Sequence, residues 1–180
     1  MQPWAFWCLG FAVYDHFRIF HLTLLLRPLA MTLPSQSTSD NSDSLMTVHP
    51  ASGYAGDVSP ALAWAWVQAG EAELVDVRTD AERAWVGFVP GAHALAWKQW
   101  PGMVMNPEFD AGVQALGAGG KKLVLLCRSG VRSVAAAQRA TELGLQAYNI
   151  LEGFEGDPDA QAHRGCTGGW RFRGLPWQQN

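Results

Sequence analysis

The run K-L-V-L-L-C at residues 122–127, followed at once by R-S-G-V-R-S, constrains this chain more than any other feature. Five apolar residues in succession leave no polar face, so a strand there must be covered on both sides. Parallel strands in layered α/β folds meet that condition, because crossover helices lie on both faces of their sheet. The strand ends on a cysteine. After five intervening residues a helical pattern begins at Ser133, runs through 143 and stops at Gly144. Ligands bind at the carboxyl ends of the strands in open α/β sheets, so Cys127 stands where chemistry is expected.

The remaining elements alternate in the same way. Ser59 caps a helix over 60–68, with Pro60 in its first position. Residues 73–77, E-L-V-D-V, read as a short strand. Thr79 caps a helix over 80–85, with Glu82 three residues on completing a capping box. The V-P-G turn at 89–91 leads to a short strand at 94–96. A helix over 107–116 is ended by the glycines of 117–120, and strands follow at 121–127 and 147–151. Residues 152–180 are glycine-rich loop with Trp170 and Trp177 as anchors. The order predicts an α/β domain with a central, mostly parallel sheet, helices on both faces and right-handed crossovers.

Composition narrows the function classes. The 180 residues carry a formal net charge of -3, against the basic patch a nucleic-acid binder needs. Cys8, Cys127 and Cys166 are too few and too scattered for a disulfide framework and form no C-x-x-C, so neither staples nor a zinc site are expected. Residues 1–30 are aromatic and apolar, but the first basic residue is Arg18, which does not suit a signal peptide. Asp15, His16, Arg18 and His21 break the run well short of the ~20 apolar residues of a membrane span. Residues 32–45 are rich in Ser, Thr, Asn and Asp and cannot bury enough apolar area to order themselves. Residues 1–45 therefore read as a non-globular extension outside the working protein, with Met31 and Met46 as candidate starts, and residues 46–180 as one cytoplasmic domain without membrane attachment.

The chemistry concentrates at 127–133. Gly130 permits a tight loop whose N–H groups converge as an anion-binding nest. The following helix N-terminus adds positive potential, and Arg128 and Arg132 add full charges. These effects favour thiolate over thiol at Cys127 and place it to attack an electrophile. A buried structural cysteine would explain Cys127 but not the arginines and glycine closing on it. Protein-phosphatase cysteine enzymes separate Cys and Arg as C-x5-R. Here Cys127 and Arg132 form C-x4-R, a smaller ring suited to a terminal sulfur, and no general acid stands out. A thiolate that attacks sulfane sulfur, releases a stabilised anion and passes the sulfur on needs little acid–base help.

The motif C-R-S-G-V-R-S at 127–133 resembles the active-site loop of rhodanese-like sulfurtransferases. L-V-D-V-R at 74–78, V-P-G-A at 89–92, L-E-G at 151–153, G-W at 169–170 and G-L-P-W at 174–177 resemble further motifs of that family in the same order. The resemblance spans roughly residues 56–178. It implies a rhodanese-like domain in which Cys127 carries a persulfide. Arg128, Ser129, Gly130, Val131, Arg132 and Ser133 then bind the substrate, while Asp76 and Arg78 support the loop. It implies no cofactor and no metal. The expected partners are a thiosulfate-like donor and a thiol or cyanide-like acceptor. A persulfide relay to a protein acceptor is the first alternative, and a phosphatase-like or arsenate-reducing cysteine enzyme the second. Two positions depart from the family pattern. Phe88 replaces a non-catalytic His, and Phe154 replaces a second Gly and is followed by a longer loop to Trp170, where a reshaped pocket mouth is expected.

Among the secondary candidates, Glu82 reads as a cap and ion-pair partner rather than a catalyst. Cys166 reads as an incidental loop cysteine, with resolution of an oxidised or persulfidated Cys127 as the alternative. His93 and His163 have no metal spacing. Trp97 and Trp100 are expected at the pocket mouth, with Lys98 between them attracting an anionic donor.

Overall fold

The computed structural model describes residues 46–179, so the reading of residues 1–45 lies outside the described residues. In chain order the elements are β1 (Gly56–Val58), α1 (Pro60–Gln68), β2 (Ala72–Asp76), α2 (Asp80–Val86), β3 (His93–Ala94), β4 (Lys98–Gln99), β5 (Val104–Met105), α3 (Phe109–Gly117), β6 (Lys122–Leu126), α4 (Val131–Glu142) and β7 (Ala147–Ile150). Five strands form one sheet in the order β1-β7-β6-β2-β3, and every neighbouring pair is parallel. The expected fold class is therefore the observed one. β4 and β5 make a separate antiparallel ribbon.

β6 is the central strand, and its side chains alternate between two cores. Val124 and Leu126 join Leu62, Ala63, Leu74, Ile150, Phe154 and Trp170 on the α1 face. Leu123, Leu125 and Cys127 join Val75, Phe109, Val113, Ala136, Ala137 and Ala140 on the face covered by α3 and α4. The unbroken apolar run is thus a strand buried from both sides, as its lack of a polar face requires. Small alanines on α4 let that helix lie close against β6, and this sets where its N-terminus meets the strand end.

The local capping signals operate as the sequence predicts. Ser59 Oγ accepts from Leu62 N–H at 3.1 Å, with Pro60 in the first turn of α1. Thr79 and Glu82 form a reciprocal capping box at the start of α2. Three boundaries differ by two residues and the others by at most one. α4 begins at Val131, two residues before the expected Ser133, because Gly130 takes φ +91° and turns the chain in one step. α3 begins at Phe109 rather than 107, because Asn106 first makes a turn, its side chain accepting from Glu108 N–H and its carbonyl from Phe109 N–H. The strand expected at 94–96 is His93–Ala94.

The elements absent from the sequence reading are β1, β4 and β5. Each has only two or three residues, too few for a periodic signal, and exists through its pairing partner.

Leu125 has no exposure at the centre of the sheet, two residues before Cys127. Leu125→Ala should cost about 3 kcal/mol of stability, read as a lowered midpoint in urea unfolding with an unchanged slope.

Candidate active site

Cys127 follows directly on β6 and is only 1% exposed, so its sulfur faces the loop and the first turn of α4. Two donors reach Sγ. Gly130 N–H donates at 3.1 Å, and the Ser133 hydroxyl lies at the same distance. Gly130 is the N-cap of α4 and makes no side-chain cap, so its N–H is turned to the sulfur by backbone geometry alone. The helix N-terminus therefore meets the sulfur at its positive end.

The two arginines of the loop divide their duties. The Arg132 guanidinium is tied to Glu82 by two hydrogen bonds, at 2.8 and 2.6 Å. Glu82 also accepts from Thr79, completing its capping box. Burial opposes the Glu82 charge, but hydrogen bonds from Arg132 and the Thr79 backbone outweigh it and hold the carboxyl at about 2. In return Glu82, with Cys127 and Asp76 behind it, pushes the Arg132 pKa up against burial. Sequence reasoning placed Arg132 in the substrate cradle; the structure puts it in the lining of the cleft and pairs its guanidinium with a protein carboxylate. Arg128 is exposed, and no ion pair or hydrogen bond among the described residues holds its side chain.

The loop backbone is held from the segment after β7. Phe154 N–H donates to the Cys127 carbonyl at 2.8 Å, and Glu155 N–H to the Arg128 carbonyl at 2.9 Å. Gly153 sits at φ +61°, and a Cβ there would fall 2.5 Å from the Cys127 oxygen and 2.6 Å from Ser129 N. The glycine of the L-E-G motif is thus required by direct backbone contact with the active loop.

Asp76 and Arg78 are fully buried and bond chiefly to one another, at 2.9 and 2.6 Å, while Arg78 also donates to the Gly87 carbonyl. Their side-chain hydrogen bonds do not reach residues 127–133. Instead, the Arg78 guanidinium lies 3.9 Å over the Phe154 ring. Its route to the loop passes through Phe154, whose backbone holds Cys127.

Phe154 itself is buried in the α1-side core against Trp177, and it does not line the cleft above Cys127. Of the two features expected to shape the mouth, the longer loop after Phe154 reaches it and brings Arg164 to the cleft.

That cleft is about 650 Å3 and opens over Cys127, Arg128, Ser129, Val131 and Arg132. Trp85, Val86, Trp100 and Met103 wall it. Trp85 is 80% exposed and Trp100 67%, so two large apolar rings stand in water at the rim. Trp100 is at the mouth as expected. Trp97 is not, packing edge-on to Phe109 at 4.7 Å, and Lys98 does not line the cleft. Cys166 is half-buried away from it, and neither Cys127 nor Cys166 is in a disulfide. Among the described residues no cluster of His, Cys, Asp and Glu could hold a metal. No helix among them is long and apolar enough to cross a membrane.

Sequence reasoning missed Asn149, Asp57 and Tyr54. Asn149 Oδ1 lies 2.6 Å from Ser133 Oγ, and its amide donates to Asp57 Oδ1 at 2.8 Å. Tyr54 O–H donates to the same Asp57 oxygen at 2.8 Å. A polar Asn inside an otherwise apolar strand, A-Y-N-I, was the available signal, since buried polar side chains require partners.

The rhodanese-like domain model matches residues 59–157. The chain belongs to the rhodanese-like domain family. The crystal structure of Rv0390 from M. tuberculosis is 40% identical, covers 71% of this chain and 99% of its own, and superposes with a TM-score of 0.62. The protein RC0915 of Rickettsia conorii is 33% identical over 110 residues, 58% of this chain and 81% of its own length. A thiosulfate sulfurtransferase from Pseudomonas aeruginosa shares the fold at 17% identity and a TM-score of 0.50, over 68% of this chain and 20% of its own.

Glu82 carries a depressed pKa, so its stabilising contribution is present above the ordinary carboxylate pKa near 4.5 and is lost as pH falls toward 2. Wild type should lose stability across that window, while Glu82→Gln starts lower and shows a shallower pH dependence, read by thermal melts from pH 6 to 2.

Proposed function

We propose that this protein is a sulfurtransferase that carries sulfane sulfur as a persulfide on Cys127. The thiolate attacks the outer sulfur of a thiosulfate-like donor, the new Sγ–S bond forms, and sulfite leaves with the electron pair of the broken S–S bond. A thiolate acceptor then takes the terminal sulfur, and Cys127 leaves as thiolate. The observation that carries this reading is the sulfur at the cleft base, held by two hydrogen-bond donors ahead of a helix N-terminus. Arg128, unpaired at the mouth, suits an anionic donor.

Two features weigh against phosphate-ester hydrolysis. Among the described residues Glu82 is the only carboxylate lining the cleft, and a group held at about 2 has no proton to give at neutral pH. Arg132, the residue that would grip a phosphoryl group, is already engaged by that carboxylate. The width of the cleft and its exposed tryptophan rim favour an acceptor with an organic body, either a small thiol or a cysteine on a partner protein, over cyanide.

Intact mass after thiosulfate treatment should show one added sulfur on wild type and none on Cys127→Ala. A wild-type protein that never gains the sulfur, or that hydrolyses an aryl phosphate instead, would overturn the proposal. Arg128→Ala should raise the KM for thiosulfate about tenfold with little change in melting temperature, as expected for one charge-assisted contact.

A further inference from the structure

Behind Cys127, on the side away from the cleft, a chain of polar groups runs through the sheet. Ser133 Oγ has one proton and three acceptors near it: Cys127 Sγ at 3.1 Å, the Gly130 carbonyl at 3.1 Å and Asn149 Oδ1 at 2.6 Å. Ser133 is fully buried and Asn149 is 2% exposed, so no bulk water relieves the competition. The orientation of the Asn149 amide follows from chemistry. Asp57 is a carboxylate and only accepts, so the group that faces it at 2.8 Å must be the Asn149 NH2. The Asn149 carbonyl oxygen is thereby turned toward Ser133. Tyr54 O–H closes the chain on Asp57, and burial together with that hydrogen bond pushes the tyrosine pKa up to about 12, so it remains a donor.

We propose that Asn149, oriented by Asp57, is a positioning residue that draws the Ser133 hydroxyl proton away from Cys127 and so keeps the cysteine sulfur under-stabilised and nucleophilic. When Cys127 carries a persulfide, its Sγ is a neutral bridging atom and the hydroxyl proton rests on Asn149. When transfer regenerates the thiolate, the same hydroxyl can rotate toward Sγ, but only by giving up its shorter bond to Asn149. No proton leaves the network, and no bond other than a hydrogen bond is made or broken.

The inference takes Cys127 as the working sulfur, yet its test needs no sulfur transfer. The pH dependence of iodoacetamide alkylation reads the Cys127 thiolate directly, with Cys127→Ala subtracting any reaction at Cys8 and Cys166. The other charged groups around this sulfur are Arg128, Arg132 and Glu82, with Asp76 behind Arg132 and Arg164 across the cleft, and all stay in place. In Asn149→Leu the hydroxyl loses the closer of the two acceptors that compete with the sulfur, leaving only the Gly130 carbonyl at 3.1 Å. The alkylation midpoint should fall by about half a pH unit or more. The plateau rate should fall less than threefold, because a better-stabilised thiolate is a weaker nucleophile. Asp57→Ala, at the sheet edge, should lower the midpoint in the same direction by releasing the amide. Both shifts should vanish in a Ser133→Ala background, whereas a bare field effect from lost charge or a packing effect would persist there. An unchanged or raised midpoint in either folded variant, or a shift that survives Ser133→Ala, overturns the proposal. Normal midpoint shifts in a protein that gains no sulfur from thiosulfate would instead count against the proposed function alone.

Discussion

The active loop depends on two backbone hydrogen bonds, from Phe154 N–H to the Cys127 carbonyl and from Glu155 N–H to the Arg128 carbonyl. A loop this tight turns N–H groups inward toward the sulfur, and its carbonyls must then find partners on the outside. The segment after β7 supplies them, and it can approach closely only because Gly153 has no Cβ. Phe154 is in turn pinned by the buried Arg78 guanidinium over its ring, and Arg78 by Asp76. An L-V-D-V-R strand and an L-E-G turn 75 residues apart thus serve one end: fixing the carbonyls of residues 127 and 128.

Charge at the site is arranged so that one arginine is structural and the other available. Glu82 caps its own helix and binds Arg132, so a single carboxylate joins the start of α2 to the start of α4. The pair keeps a positive group beside the sulfur without leaving it loose, and it also removes Glu82 as a proton donor. Arg128, one residue from the cysteine, keeps its guanidinium in the cleft.

The site has two unlike sides. The cleft side is wide, aromatic and wet, walled by tryptophans that find no partner in the described chain. The interior side is dry and polar, a line from Ser133 through Asn149 to Asp57. In the proposed function the first side deals with what enters and leaves, while the second acts only on the sulfur that stays.

Much of this was legible in the amino-acid order, and the reason is locality. The uninterrupted apolar run could only be a doubly covered strand. Ser59 and the Thr79–Glu82 box act within three residues of themselves, and the cysteine, glycine and arginines of 127–132 lie on one short turn. Those signals dictate the α/β class, the starts of α1 and α2, and the place of Cys127 at the end of the central strand. Tertiary structure decided the rest, because a side chain's partner across the sheet depends on strand register and helix placement that no local spacing encodes. Arg132 lines the cleft, but its guanidinium found a partner in Glu82, 50 residues away. Phe154 turned into the core, not the mouth. Asn149 came to face Ser133 only because β7 lies beside β6 in a register that sets it against Leu125, two residues before the cysteine.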